Sequence, residues 1–177
     1  MPNIVFIATS LDGYIADKEG KLDWLNVIPN PNNHDGGFCA LMERIDAIVM
    51  GRNTFQTVDG FDCEWPYTKP VFVLSNSLIT LPRSHEENAQ LIQGPLVEVV
   101  RTLHHKGYYN LYIDGGLTIQ NFLKEDLIDE MIITTIPILL GGGTPLFGEL
   151  SQPMLFELVK SELFLSNMVQ NHFRRKR

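Results

Sequence analysis

The chain has 177 residues, 44% of them hydrophobic and 20% charged, with a formal net charge of −7 and a pI near 5.1. That length suits one domain spanning residues 1–177, and the composition is rich enough to bury a core, which excludes a disordered chain. The acidic balance excludes broad nucleic-acid binding, which needs a basic face, and no apolar run approaches the roughly 18 residues of a membrane span.

The start, "MPNIVFIATSLDGYIA", lacks a basic segment followed by a long apolar stretch, so no signal peptide is expected. Ile4–Ala8 reads as a short buried strand, closed by a turn at Ser10–Gly13 in which Asp12 caps its own turn. Trp24 follows, either in the core or as the wall of an aromatic pocket. "PNPNNHDGG" (Pro29–Gly37) is a loop, and Phe38, Leu41, Met42 and Ile45 then mark a helical stripe. Asp35 precedes that helix, where it is either an N-cap or a carboxylate facing a substrate pocket.

Ala47–Met50 and Val71–Ser75 read as further buried strands, and Gln90–Ile92 as a weaker one. A helix starts at Pro95, with Leu96, Val99, Val100 and Leu103 as its stripe and Gly107 at its end. Leu111–Ile113 is the next strand, and Ile119, Phe122, Leu123 and Leu127 stripe the helix behind it. Met131–Leu139 is a strand, and the terminal segment forms a hairpin turning near Ser166–Asn167. The alternation of strand and helix predicts a mainly parallel sheet with helices on its faces, whose ligand lies at the carboxyl ends of the strands.

Three strand ends carry ligand-binding chemistry. At "IDGG", Gly115 and Gly116 stand where a strand hands over to a helix, so backbone N–H groups can approach an anion there. A tight turn with no ligand explains the same residues equally well. At "MGRNTF", Arg52 offers a forked cation, with Asn53 and Thr54 beside it; the plainer reading is a capped helix with a surface arginine. At "VLSNS", Ser75 and Asn76 end a strand or simply make a polar turn. Together the three describe one elongated crevice for a ligand with several phosphates. The glycine run of "LLGGGTPLF" (Leu139–Phe147) is stopped by Thr144–Pro145 and shapes a turn or a rim. The full GxGxxG fingerprint, the P-loop and the GxSxG elbow are absent. Cys39 and Cys63 have no CxxC or HExxH partners, so no metal site and no disulfide framework are expected, in keeping with a cytoplasmic setting.

Taken in order, "NIVFIATSLDGYIA", "DAIVMGRNTF", "VFVLSN", "LYIDGGLTIQNFLKEDLIDE" and "PILLGGGTPLF" resemble the dihydrofolate reductase-like superfamily. The branch is similar to the C-terminal reductase domain of the bifunctional riboflavin-biosynthesis deaminase/reductase. The resemblance implies a single-domain α/β fold with a mixed, mainly parallel sheet, flanking helices and a C-terminal antiparallel hairpin. It implies an NADPH-dependent reductase, NADH not excluded, that passes a hydride to a small C=N or C=O substrate, pterin-like or ribosylamino-pyrimidine-like. A nucleotide-binding module without turnover is the alternative. It further implies a homodimer. Carried onto this chain, Ala8 and Ile15 would hold the nicotinamide end. Gly51, Arg52, Asn53 and Thr54 would bind the diphosphate from one side, and Gly115, Gly116, Leu117 and Thr118 from the other. Ser75 and Asn76 would lie by the adenosine. Trp24, Asp35 and Phe38 would face the substrate, with Asp35 as the catalytic acid. Leu117 stands where dihydrofolate reductases often carry a basic residue for the 2′-phosphate, so Arg52 or Arg83 would have to substitute for it.

Overall fold

A computed structural model of the chain describes residues 1–61, 64–78, 80–81 and 87–177; Cys63 and Arg83 lie outside the described residues. Among the described residues, ten strands and four α-helices follow the predicted alternation. β1 (Asn3–Ser10) and the short β2 (Tyr14–Ala16) lead to a 3₁₀ turn at Asp23–Asn26. Then come α1 (Phe38–Arg44), β3 (Ala47–Gly51), α2 (Arg52–Asp59), β4 (Val71–Leu74) and β5 (Ala89–Ile92). α3 (Leu96–His105), β6 (Leu111–Asp114), α4 (Gly116–Lys124) and β7 (Glu130–Ile136) continue the pattern, and β8 (Thr144–Pro145), β9 (Phe156–Phe164) and β10 (Met168–Arg175) close it.

Eight strands form one sheet in the order β5-β4-β3-β6-β1-β7-β10-β9. The first six run parallel, and β10 and β9 are antiparallel at the far edge. Because side chains alternate along a strand, neighbouring strands split the core in two. Val5, Val49 and Ile113 point into one cluster with Leu103 of α3 and Phe122 of α4. Ile4, Ile48 and Tyr112 point into the other, with Leu41 and Met42 of α1 and Phe55 of α2. The buried central strands are thus sandwiched between helices, as their continuous apolar runs require.

The elements depart from expectation in small ways with local causes. β7 stops at Ile136 rather than Leu139, since Pro137 has no N–H to give a ladder and the chain turns there, the Ile138 N–H donating to the Ile136 carbonyl at 2.8 Å. Pro95 is the N-cap of α3, one place before the first helical position. Leu127 lies past the end of α4, its N–H donating to the Phe122 carbonyl at 2.9 Å. The glycine run forms β8's approach: β8 pairs with β2, Tyr14 opposite Pro145 and Ala16 opposite Thr144. Asp12 reaches beyond its own turn. It accepts the Ser10 hydroxyl (2.6 Å) and the N–H groups of Leu140 (3.1 Å) and Gly141 (2.7 Å), tying the first turn to the glycine run. The Ser10 hydroxyl and these N–H groups hold its pKa down at about 2. No described helix is long and apolar enough to cross a membrane.

Candidate active site

β3 and β6 are parallel neighbours with Met50 opposite Asp114, so their carboxyl ends stop side by side. Each hands over directly to a helix, β3 through Gly51 to α2 and β6 through Gly115 to α4. The two junctions interlock. A Cβ on Gly115, whose φ is +92°, would run into the Thr54 hydroxyl, and a Cβ on Gly51 would lie 2.8 Å from the Thr118 hydroxyl. A Cβ on Gly116 would lie 2.7 Å from Ile15 Cδ1. At Gly115 and Gly51 the space a Cβ would take is filled by the first turn of the other junction's helix, and at Gly116 by the tip of Ile15.

Neither α2 nor α4 has a side-chain cap on its first turn. Their leading N–H groups lack partners inside the helix, and the helix dipole favours an anion before them. Arg52 adds a fixed cation there, its Nη1 donating to the Ser77 hydroxyl at 3.0 Å. β4, on the other side of β3, stops at Leu74, one residue short of the expected end, and Ser75 follows it, its hydroxyl accepting the Leu78 N–H at 2.9 Å. These junctions open into one cavity of about 830 Å³. Ala8, Ile15, Gly51, Arg52, Asn53, Thr54, Ser75, Asn76, Gly115, Gly116, Leu117 and Thr118 all line it. Leu117 is 67% exposed, an apolar side chain in the first turn of α4.

The three residues expected to face a substrate are not brought to the cavity wall. Trp24 is buried at 7% exposure, and its neighbours Leu22 and Leu25 line the cavity in its place. Phe38 packs one layer back, its ring 6.3 Å from those of Phe6 and Tyr67. Asp35 is exposed, and its carboxylate accepts the N–H groups of Cys39 (2.8 Å) and Gly37 (2.9 Å) at the start of α1. Chiefly the Cys39 N–H, with the Gly37 N–H, holds its pKa down at about 2. A carboxylate so held is ionised at neutral pH and has no proton to give. The N-cap of α1 is Gly37 and not Asp35, which binds the helix start from two residues earlier.

Another acid is in the wall. Asp114 lines the cavity at the end of β6, directly before the glycine pair. The Gly115 N–H donates to its Oδ1 at 2.8 Å and the Tyr67 hydroxyl lies 3.4 Å from its Oδ2. Desolvation by the surrounding protein pushes the Asp114 pKa up against these hydrogen bonds, and burial and the nearby Asp114 push the Tyr67 phenol up as well. Tyr67 is fixed edge-on against Trp65, with ring centroids 5.3 Å apart. The Asp114 position was visible in sequence as an acid ahead of two glycines. Nothing marked Tyr67, which reaches the site from the loop before β4.

A smaller cleft of about 390 Å³ lies between α1 and the β9–β10 hairpin. Its charged groups are paired: Glu130 joins Arg44 (2.7 Å) and His172 (2.9 Å), and Lys160 joins Glu162 (2.8 Å).

A parallel sheet with an antiparallel hairpin at one edge and a cavity across its central strand ends defines the dihydrofolate reductase-like fold. A dihydrofolate reductase from Enterococcus faecalis, complexed with NADP(H), superposes with a TM-score of 0.69 at 19% identity over 99% of this chain and 97% of its own. A diaminohydroxyphosphoribosylaminopyrimidine deaminase/5-amino-6-(5-phosphoribosylamino)uracil reductase from Thermotoga maritima shares the fold at 0.72, with 19% identity over 99% of this chain and 57% of its own. A protein of Shewanella sp. PV-4 named for riboflavin biosynthesis matches at 0.98, 63% identical over the full length of both chains. The RibD C-terminal domain family model matches residues 3–170, and the chain belongs to that family.

Proposed function

We propose that this protein is an NADPH-dependent reductase that passes a hydride to a C=N or C=O bond of a small molecule, pterin-like or ribosylamino-pyrimidine-like. The observation that carries the reading is the convergence of twelve residues from five separate stretches of chain on one cavity. The dihydronicotinamide would supply the hydride, and the protein's work is placement and electrostatics. Ala8 and Ile15 hold the nicotinamide end, where Gly116 leaves room for Ile15. The first turns of α2 and α4 receive the diphosphate on N–H groups, with Asn53, Thr54 and Thr118 beside them. Ser75 and Asn76 flank the adenosine. Arg52 reads the 2′-phosphate, because Leu117 has no donor to offer.

The proton comes from the Asp114 carboxyl. It stands in the wall of the cavity and its protonated form is favoured by desolvation, which suits a general acid. Asp35 has no part in this step.

The protein acts as a homodimer. Leu158, Val159 and Leu163 of the edge strand β9 and Val169 opposite Leu163 are exposed, apolar surface set among Glu157, Lys160 and Glu162 that a second copy would cover.

The test is NADPH oxidation followed by absorbance across a panel of pterins, aldehydes and ribosylamino-pyrimidines, beside a thermal shift with NADPH. A shift with turnover of at least one compound supports the reductase. A shift with no turnover on any compound favours the nucleotide-binding module.

A further inference from the structure

Part of the cavity wall is built outside the two glycine junctions. Ile15 and Ala16 of β2 and Thr144 of β8 line the cavity. β2 has three residues and β8 two, and the pair forms a small sheet of its own. A two-stranded ribbon is marginal by itself in water, so its place depends on what ties its ends.

The ties gather at the turn before β2. The Leu11 N–H donates to the Ile138 carbonyl at 2.8 Å, and the Leu146 N–H to the Gly13 carbonyl at 2.9 Å. Between them the Asp12 carboxylate accepts the N–H groups of Leu140 and Gly141. The Ser10 hydroxyl that donates to Asp12 also accepts the Tyr14 N–H at 3.0 Å, at the first residue of β2. The carboxylate stays charged at ordinary pH, and bonds to a charged acceptor are the stronger kind. A Cβ on Gly143 would run into the Ala16 carbonyl, so the glycine run lies flat against the chain just after Ile15. From α4, the Gln120 amide donates to the Pro145 carbonyl at 2.9 Å and holds the ribbon's other strand. Asp12 itself is exposed and does not line the cavity.

We infer that Asp12 is a positioning residue for the nicotinamide end of the cavity: through Leu140 and Gly141 it fixes the ribbon that carries Ile15, Ala16 and Thr144, without touching the ligand. This rests on the reductase reading, which sets the nicotinamide against Ala8 and Ile15. Loss of the tie leaves the main sheet intact, since β1 pairs with β7 from Ile4 to Ser10 by its own ladder. What it releases is the wall beside the reacting ring, where small displacements matter most. Ser75 and Asn76, at the adenosine end, follow β4, the third strand along from β1, and are not held by this turn.

The experiment uses the full chain and two probes: NADPH, and adenosine 2′,5′-bisphosphate, which has no nicotinamide. Asp12→Asn keeps the side chain's size and removes its charge. Calorimetric titration is expected to show NADPH weakened roughly fivefold or more, the loss of charge-assisted bonds, and the bisphosphate held within about twofold. Equal weakening of both probes overturns the inference, because the variant has then loosened the whole fold. No weakening of either also overturns it, because Asp12 then serves only its own turn. Amide hydrogen exchange of the ligand-free chain gives a second readout. Asp12→Asn should speed exchange about tenfold at Leu146 as well as at Leu140 and Gly141, and Ser10→Ala should move Leu146 in the same direction. A change confined to Leu140 and Gly141 overturns the inference. If the wild type binds neither probe, the reductase reading falls, and exchange at Leu146 still decides whether Asp12 holds the ribbon.

Discussion

Thr54 in the first turn of α2 occupies the space where Gly115, at the end of β6, would otherwise carry a Cβ, and Thr118 of α4 does the same over Gly51 at the end of β3. The two strand–helix junctions therefore brace one another. The cavity's shape depends on both pairs, and the two glycines differ in why they are needed. Gly115 has a φ of +92°, which a side chain rarely adopts, whereas the φ of Gly51 is an ordinary −77°.

Gly115→Ala combines backbone strain with overlap and should destabilise the fold by on the order of 3 kcal/mol. Thr54→Ala in the same chain should recover only part of that loss, because the backbone strain remains. Gly51→Ala should cost about 1 kcal/mol, from overpacking alone, and Thr118→Ala should cancel most of it. Urea melts of the four variants check this. Full rescue of Gly115→Ala by Thr54→Ala would show that φ is not the limiting factor.

Asp35 is expected to matter for stability and not for turnover. Asp35→Ala removes the acceptor of two N–H groups at the start of α1 and should cost about 1 kcal/mol, as lost helix-start bonds do. Its folded pKa lies below the ordinary 3.8. The stabilisation it gives is therefore present above pH 4 and fades as pH falls from 4 towards 2. Melts of wild type and variant should converge over that window, with NADPH oxidation unchanged at pH 7.

Asp114 carries the opposite sign. Its folded pKa is raised by desolvation, so the unfolded chain ionises first as pH rises above about 4; the penalty on folding grows until Asp114 itself ionises and stays at that level above it. Asp114→Asn removes that penalty. Relative to wild type, the variant should gain stability as pH rises from 4.5 to 7.5 while losing turnover by about 100-fold, as removal of a general acid does. Parallel melts at the two pH values, with single-turnover rates, decide it. A stability difference that is flat in pH would contradict a raised carboxyl.

Arg52 should set the choice of cofactor. Its guanidinium donates to Ser77 beside Ser75, and Leu117 supplies no competing cation. Arg52→Ala should weaken NADPH about tenfold, the loss of one charge-assisted contact, and leave NADH within twofold. Equal weakening of both in titrations would mean that Arg52 does not read the 2′-phosphate.

The glycine-junction half of the cavity was legible because it is built from backbone features. Glycines between a strand and a helix, with Arg52 or Thr118 just after them, leave a local mark in the sequence, and neighbouring strands then set them side by side. The rest of the wall was not legible in this way. Tyr67, Phe61, Leu22 and Leu25 line the same cavity as Asp114 only through folding, from segments with no periodic pattern. Trp24 and Asp35 carried suggestive chemistry and were used for burial and for starting a helix. Two of the boundaries that shifted did so at Pro95 and Pro137, where a missing N–H bears on the helix start or the ladder.

If the interlocked glycine junctions form a dinucleotide site, calorimetric titration of the full chain with NADPH will show saturable 1:1 binding per chain, weakened at least tenfold in Gly115→Ala. No binding of NADPH or NADH at millimolar concentration, or binding that is indifferent to Gly115→Ala in a folded variant, would contradict it.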